Sequence, residues 1–210
     1  MRKALDVAGH ANMWRISDDF WDSWKALREQ FDRCAKWTKY TGPGYYPDAD
    51  MLPVGAVRIG QKAPWTHFTH DEQYTLMSLW SMAKSPLMIG ADMPQNDQFT
   101  LDLLTNKEVI EIDQHSKNGH EVERDGDKIV WLADAPTGAD KYVAVFNVGS
   151  KPKDSTEAGK AMTVSLAKLG FGGRTRVRDL WKKQDEGVIE GELKAVVPWH
   201  GVKLVRLASE

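Results

Sequence analysis

The sequence predicts an α/β region over residues 1–112 followed by an all-β region over residues 113–210. Three observations carry this. Composition changes near Asp113: residues 1–112 hold six of the nine tryptophans and seven of the eight methionines, whereas the remainder holds eleven of the seventeen glycines and only six of the twenty aromatics. The first part alternates short apolar runs with helical stripes about three times, the signature of a parallel sheet with helical crossovers. The second part alternates apolar and polar residues with period two between closely spaced turn residues, which marks an antiparallel sandwich.

Each element follows from local pattern. Phe20, Trp24, Leu27, Phe31 and Cys34 fall on one face at helical spacing, with Asp22, Lys25, Arg28, Glu29 and Arg33 mostly elsewhere. Thr41-Gly42-Pro43-Gly44 stops that helix, and Tyr45 to Asp48 reads as a short strand entering a loop. Thr69-His70-Asp71-Glu72 fits a capping box and opens a second helix whose inner face is Leu76, Leu79, Trp80 and Ala83. Pro86 to Ala91 reads as a third short buried strand and Asn96 to Leu104 as a third helix. Further on, Val143 and Val145 oppose Tyr142, Ala144, Phe146 and Val148, and Met162, Val164 and Leu166 alternate with Thr163, Ser165 and Ala167. Three strand–helix units do not close a barrel, which takes eight and roughly 250 residues. Either this is a small open α/β domain or it is part of something larger.

Composition excludes several classes. Hydrophobic residues at 41% and charged residues at 28% describe a globular chain rather than a disordered one. The formal charge of -2, with no basic stripe, gives no footprint for nucleic acid. Cys34 is the only cysteine, so no internal disulfide forms. The least charged window, Gln73 to Ala91, is interrupted by Lys84 and Pro86 and is not a membrane span. Met1 to His10 lacks the apolar run of a signal peptide, and the compartment stays open: secreted or periplasmic with a leader, otherwise cytoplasmic.

The densest cluster of chemistry is Trp14-Arg15-Ile16-Ser17-Asp18-Asp19-Phe20-Trp21-Asp22-Ser23-Trp24, where a strand gives way to a helix. In parallel α/β folds that end of the sheet is the working end, and a carboxylate beside aromatics and an arginine is placed to act as a tuned acid. Taken alone, Ser17, Asp18 and Asp19 read more readily as helix caps. The second cluster, Pro47-Asp48-Ala49-Asp50-Met51-Leu52, would face the same mouth from the next strand. Two carboxylates across a cleft are the minimum for glycoside hydrolysis; the competing reading is a turn in which Asp48 binds local backbone. His67, His70, Asp71 and Glu72 have only a loose zinc-ligand spacing, and no metal or cofactor is expected. Cys34 lies on the apolar stripe and reads as a buried small hydrophobe. Gly170 to Gly173 lacks the strand-to-helix context of a phosphate loop. The tryptophans read mostly as core, with Trp14 or Trp65 placed to stack on a sugar at the mouth.

Taken in order, these stretches resemble family 27 of the glycoside hydrolases, the α-galactosidase and α-N-acetylgalactosaminidase family. Asn12 to Trp24, Pro47 to Gly55, Thr75 to Gly90 and Leu104 to Asp113 match its barrel, while Val177 to Trp181 and Val197 to Val202 echo the strands ending its C-terminal sandwich. The resemblance implies the C-terminal part of a (β/α)8 barrel, about three strand–helix units, plus an antiparallel β-sandwich, and retaining hydrolysis of α-linked galactose-type saccharides. It implies Asp19 as acid/base, four residues after Arg15, with Arg15 on the sugar and Asp50 and Met51 lining the pocket. No role is carried onto Asp18.

The family's nucleophile is an aspartate in a Lys-Tyr-Asp-like motif, and its sugar-binding acid pair lies further upstream; neither motif occurs in these residues. The expectation is therefore a C-terminal half that supplies the acid/base, lacks the nucleophile and does not turn over alone. Its partner would be an N-terminal half of the barrel, or a second copy covering the open sheet edge. The alternatives are a non-catalytic carbohydrate-binding or structural remnant, and one subunit of a split glycosidase. The choice between galactose and N-acetylgalactosamine is not legible, because in the family those contacts lie on an absent loop.

Overall fold

The computed structural model describes residues 10–58 and 64–210. The first strand, β1 (Met13–Arg15), runs parallel to β2 (Tyr46–Asp48), with Arg15 opposite Asp48. Between them lies α1 (Trp24–Trp37), continued by one 3-10 turn over Thr38–Tyr40. Leu27, Phe31 and Cys34 are buried as the helical stripe predicts, while Phe20 precedes the helix and still enters the core. The cap departs from expectation. Ser23 is the N-cap, its hydroxyl accepting from the Ala26 amide, and no acid lies in the first turn. Ser17, Asp18 and Asp19 are thus not capping residues; Phe20 and Asp22 turn inward after them and delay the helix until Ser23.

Helix α2 (His70–Ala83) opens with the predicted capping box, Thr69 and Glu72 each binding the other's backbone amide. Leu76, Leu79, Trp80 and Ala83 are buried, but so are Thr75, Met77, Ser78, Ser81 and Met82. The helix is enclosed on all sides rather than along one stripe, because helices and a β-sheet pack around it. Pro86 to Ala91 does not form the buried strand expected. It makes one parallel bridge, Leu52 to Ile89, and Met88 and Ile89 are exposed. Two short helices follow, α3 (Gln98–Leu104) and α4 (Lys107–His115), capped by Asp97 and Asn106. The second buries Val109 and Ile112.

Eight antiparallel strands complete the chain: β3 (Lys117–Asp125), β4 (Lys128–Asp134), β5 (Lys141–Asn147), β6 (Gly159–Ser165), β7 (Thr175–Asp179), β8 (Gln184–Ile189), β9 (Glu192–Pro198) and β10 (Val202–Ser209). Six form one sheet in the order β3-β4-β5-β10-β7-β8, and β6 pairs with β9 in the second. Alternation sends the two faces of the larger sheet into different cores. Val130, Val143, Val145 and Val205 meet Met162, Val164 and Leu193 of the small sheet. Trp131, Tyr142, Ala144, Phe146 and Leu204 face the helices, in one cluster with Leu27, Phe31, Leu76 and Trp80. Gly119 sits so close to the Met82 carbonyl that any Cβ there would collide with it, which lets β3 press against the end of α2. The result is a partial barrel, a six-stranded sheet and a two-stranded sheet stacked as successive layers.

Candidate active site

The parallel pairing of β1 with β2 brings the residues singled out in sequence to one end of the sheet. Arg15 is the last residue of β1 and Asp48 the last of β2. Asp48 is buried and accepts the Asp50 amide at 2.8 Å, the local turn bond that its sequence context suggested. That bond helps fold the chain back at Asp50, whose φ of 84° lies in the left-handed region. A non-glycine residue there costs about 1–3 kcal/mol, and three contacts hold it. The Asp50 carboxylate accepts from the Phe20 amide at 2.6 Å and pairs with Arg15 at 2.9 Å, while its carbonyl accepts from the Trp80 indole at 2.8 Å.

Arg15 is the hub. Its guanidinium reaches Asp50, lies 3.8 Å from Asp19 and 3.9 Å from Asp48, and donates to the Asp18 carbonyl. The side chain of Asp19 is 93% exposed and free of the capping role. Ser17 ties the two loops together by donating to the Ala49 carbonyl, and the Ser85 hydroxyl accepts from the Ala49 amide. Met51 follows Asp50 and lies against Gly90, where a Cβ would collide with the Met51 sulfur. Arg15 at the end of β1, Asp19 in the loop that follows it, and Asp50 and Met51 in the loop after β2 thus come from two adjoining strand ends.

A neighbouring ion pair was not singled out in sequence. Asp22 is almost wholly buried and accepts two bonds from Arg58, at 2.5 and 2.7 Å, and one from the His67 amide at 2.5 Å. Burial pushes this carboxyl upward, but the Arg58 and His67 bonds outweigh it and hold it below the usual carboxylate range. Asp22 resembles any helix-flanking acid in sequence, and only the inward turn of the loop marks it.

His67, His70, Asp71 and Glu72 do not converge. His67 packs on Arg58, His70 stacks on Phe99, and Glu72 belongs to the capping box and binds His200 at 2.7 Å. Burial pushes the Cys34 thiol up to about 12, the behaviour of an inert core residue. Trp14 is not at the mouth; it packs against Trp37 with its indole N–H buried. The tryptophans are also less internal than expected. Only Trp80 and Trp131 are fully buried, and Trp21 and Trp65 are exposed.

Comparison with known proteins finds relatives along nearly the whole chain. The family model described as alpha galactosidase A matches residues 3–115, and that of the alpha galactosidase C-terminal beta sandwich domain matches residues 125–207. Alpha-galactosidase 2 of Arabidopsis thaliana is 33% identical over 202 residues, covering 93% of this chain and 46% of the plant protein. The alpha-galactosidase of Oryza sativa subsp. japonica is 32% identical, covering 92% and 43%. A family 27 β-L-arabinopyranosidase of Geobacillus stearothermophilus, solved with arabinose, superposes with a TM-score of 0.93 at 39% identity, covering 100% of this chain and 48% of that one. The chain spans about half the length of the relatives it matches.

Proposed function

Because the chain belongs to the α-galactosidase family, family 27 of the glycoside hydrolases, we propose that it supplies the acid/base side of a retaining α-glycosidase site. The observation that carries this reading is Arg15, which links Asp19 and Asp50 at the ends of two parallel strands. In this reading Asp19 gives a proton to the departing glycosidic oxygen and later takes one from water. Arg15 and Asp50 hold the hydroxyls of the bound sugar, and Met51 borders the same pocket. Retention requires a second carboxyl about 5–5.5 Å from the first, acting as nucleophile. Asp48 and Asp50 are already committed to Arg15 and to backbone amides, and in this reading the nucleophile is the aspartate of the family's Lys-Tyr-Asp-like motif, which these 210 residues do not contain. The chain on its own is inactive, and the two functional parts divide near Asp113.

The sugar is a terminal galactose-type residue in α-linkage. A second reading rests on the 39% identity to a β-L-arabinopyranosidase. β-L-Arabinopyranose has the ring stereochemistry of α-D-galactose without the hydroxymethyl group, so the contacts assigned to Arg15 and Asp50 serve either sugar.

The test uses nitrophenyl α-D-galactoside and nitrophenyl β-L-arabinopyranoside. The purified, monodisperse chain is expected to release no nitrophenol; turnover by it that Asp19→Asn abolishes would overturn the absent nucleophile. Joined to the preceding barrel strands of the Geobacillus relative, the chain is expected to turn over one of the two. In that enzyme Asp19→Asn should lower kcat about a thousandfold for removal of a general acid. A loss below tenfold would remove Asp19 from the role.

A further inference from the structure

We infer that Trp21 and Trp65 form a stacking platform for the leaving-group saccharide, the sugar on the far side of the bond that Asp19 protonates. This inference rests on the assignment of Asp19 as the acid. The loop from Asp19 to Asp22 alternates in exposure. Phe20 is buried against Trp80, with ring centroids 5.1 Å apart, and Asp22 is buried on Arg58, which turns Asp19 and Trp21 to the solvent side. Asp19 and Trp21 therefore share the solvent side of one loop, and in this proposal the group leaving with the glycosidic oxygen passes over the Trp21 indole.

The buried charge also anchors the backbone at Trp65. Arg58 gives one arm of its guanidinium to Asp22 and the other to the Trp65 carbonyl at 2.8 Å. A bridge between Ala56 and Trp65, together with the His67 amide on Asp22, fixes the returning strand of that loop. Trp21 and Trp65 are 52% and 42% exposed, yet both are held by an ion pair that is itself removed from solvent. Burying an ion pair costs desolvation, and holding two large indoles open to water on a fixed backbone does nothing for the core. Pre-set aromatic faces lower the entropy lost on binding. A sugar ring suits them: its C–H face lies on an indole while its hydroxyls meet the exposed side chains of His67 and Asp19.

The experiment follows the indole N–H resonances of the 210-residue chain titrated with sucrose, raffinose and galactose into the tens of millimolar. Sucrose is the group that raffinose loses when its galactose is cleaved. Sucrose and raffinose are expected to shift Trp21 and Trp65 and leave the core Trp131 in place, with galactose giving much smaller shifts. Trp21→Ala or Trp65→Ala should weaken sucrose binding about fivefold, Trp21→Phe should retain most of it, and Val196→Ala, on the exposed face of the sandwich, should leave it unchanged. Absence of shifts at both indoles would overturn the platform. So would equal shifts with galactose, or shifts that follow protein concentration instead of sugar. Sucrose shifts in a chain whose reconstituted enzyme ignores Asp19→Asn would sink the catalytic reading and leave a saccharide site. Turnover dependent on Asp19 without such shifts would sink the platform alone.

Discussion

Asp50 shows how a single residue holds the site and strains the chain. Its left-handed backbone is tolerated because the carboxylate meets Arg15 and the Phe20 amide, and the carbonyl meets Trp80. Asp50→Ala keeps the strain and loses two of these contacts, so denaturant unfolding should report a loss of about 2 kcal/mol. Asp50→Asn should lose less than half as much, since asparagine accepts the conformation and still offers an oxygen to Phe20. Asp22 differs in kind, because its charge is buried. Asp22→Asn leaves Arg58 short of a counter-charge and should cost about 3 kcal/mol at neutral pH. Its folded pKa is depressed, so the stability it contributes is present above the unfolded value of 3.8 and fades as pH falls through the folded one. Wild type and Asp22→Asn should therefore converge in strong acid. Asp19 was visible in sequence as one acid among several, but its freedom from helix capping was not, because Ser23 lies close enough for either start.

Among elements, α2 carries the most connections. Its capping box is local and was legible from Thr69 and Glu72 alone. Its second use was not: Glu72 also accepts from His200 of the β9–β10 turn, and His200 stacks on Trp24 at 3.7 Å while its carbonyl accepts from Thr75. Burial raises the Glu72 carboxyl, but the His200 and Thr69 bonds outweigh it and hold it below its ordinary value. Thr69→Ala should cost about 1 kcal/mol, the usual loss of a cap. Glu72→Ala also strands His200, and should cost about 2 kcal/mol in the same unfolding measurement. Pro86 to Ala91 shows the opposite case. Its apolar run reads as a buried strand, yet a single bridge to Leu52 leaves Met88 and Ile89 open. Burial on both faces needs neighbours on both sides, which a local pattern does not report.

At the scale of the molecule, the helices and the six-stranded sheet share one core. Trp131, Phe146 and Leu204 pack with Phe31 and Trp80, Asn106 donates to the Leu180 carbonyl, and Arg178 pairs with Glu108 at 2.7 Å. Far-UV circular dichroism and tryptophan fluorescence should therefore report one coincident unfolding transition rather than two. The same junction holds Asp113 and Lys84. Burial pushes Asp113 up to about 6 against the attraction of Lys84, and pushes Lys84 down, its ammonium donating to the Ser116 carbonyl instead. Desolvation thus exceeds their mutual attraction. A raised carboxyl favours its neutral form in the fold, so stability should fall as pH rises from about 4 to about 6. Asp113→Asn should gain about 1–2 kcal/mol at pH 7, after discount for partial exposure, and nothing near pH 3. Urea midpoints at the two pH values decide it.

The sequence by itself determined the fold class, strand–helix units followed by antiparallel strands, together with the period-two cores of the sandwich, the capping box and the family. Each is written in nearest-neighbour chemistry or in motif order, which the chain carries without folding. Only the tertiary structure decided that Ser23 rather than an upstream acid caps α1, that Asp22 is a buried anchor, that α2 is enclosed on every side, and that Trp21 and Trp65 are exposed. Those features depend on residues 30 to 125 positions apart meeting in space, and burial and pairing exist only once they do.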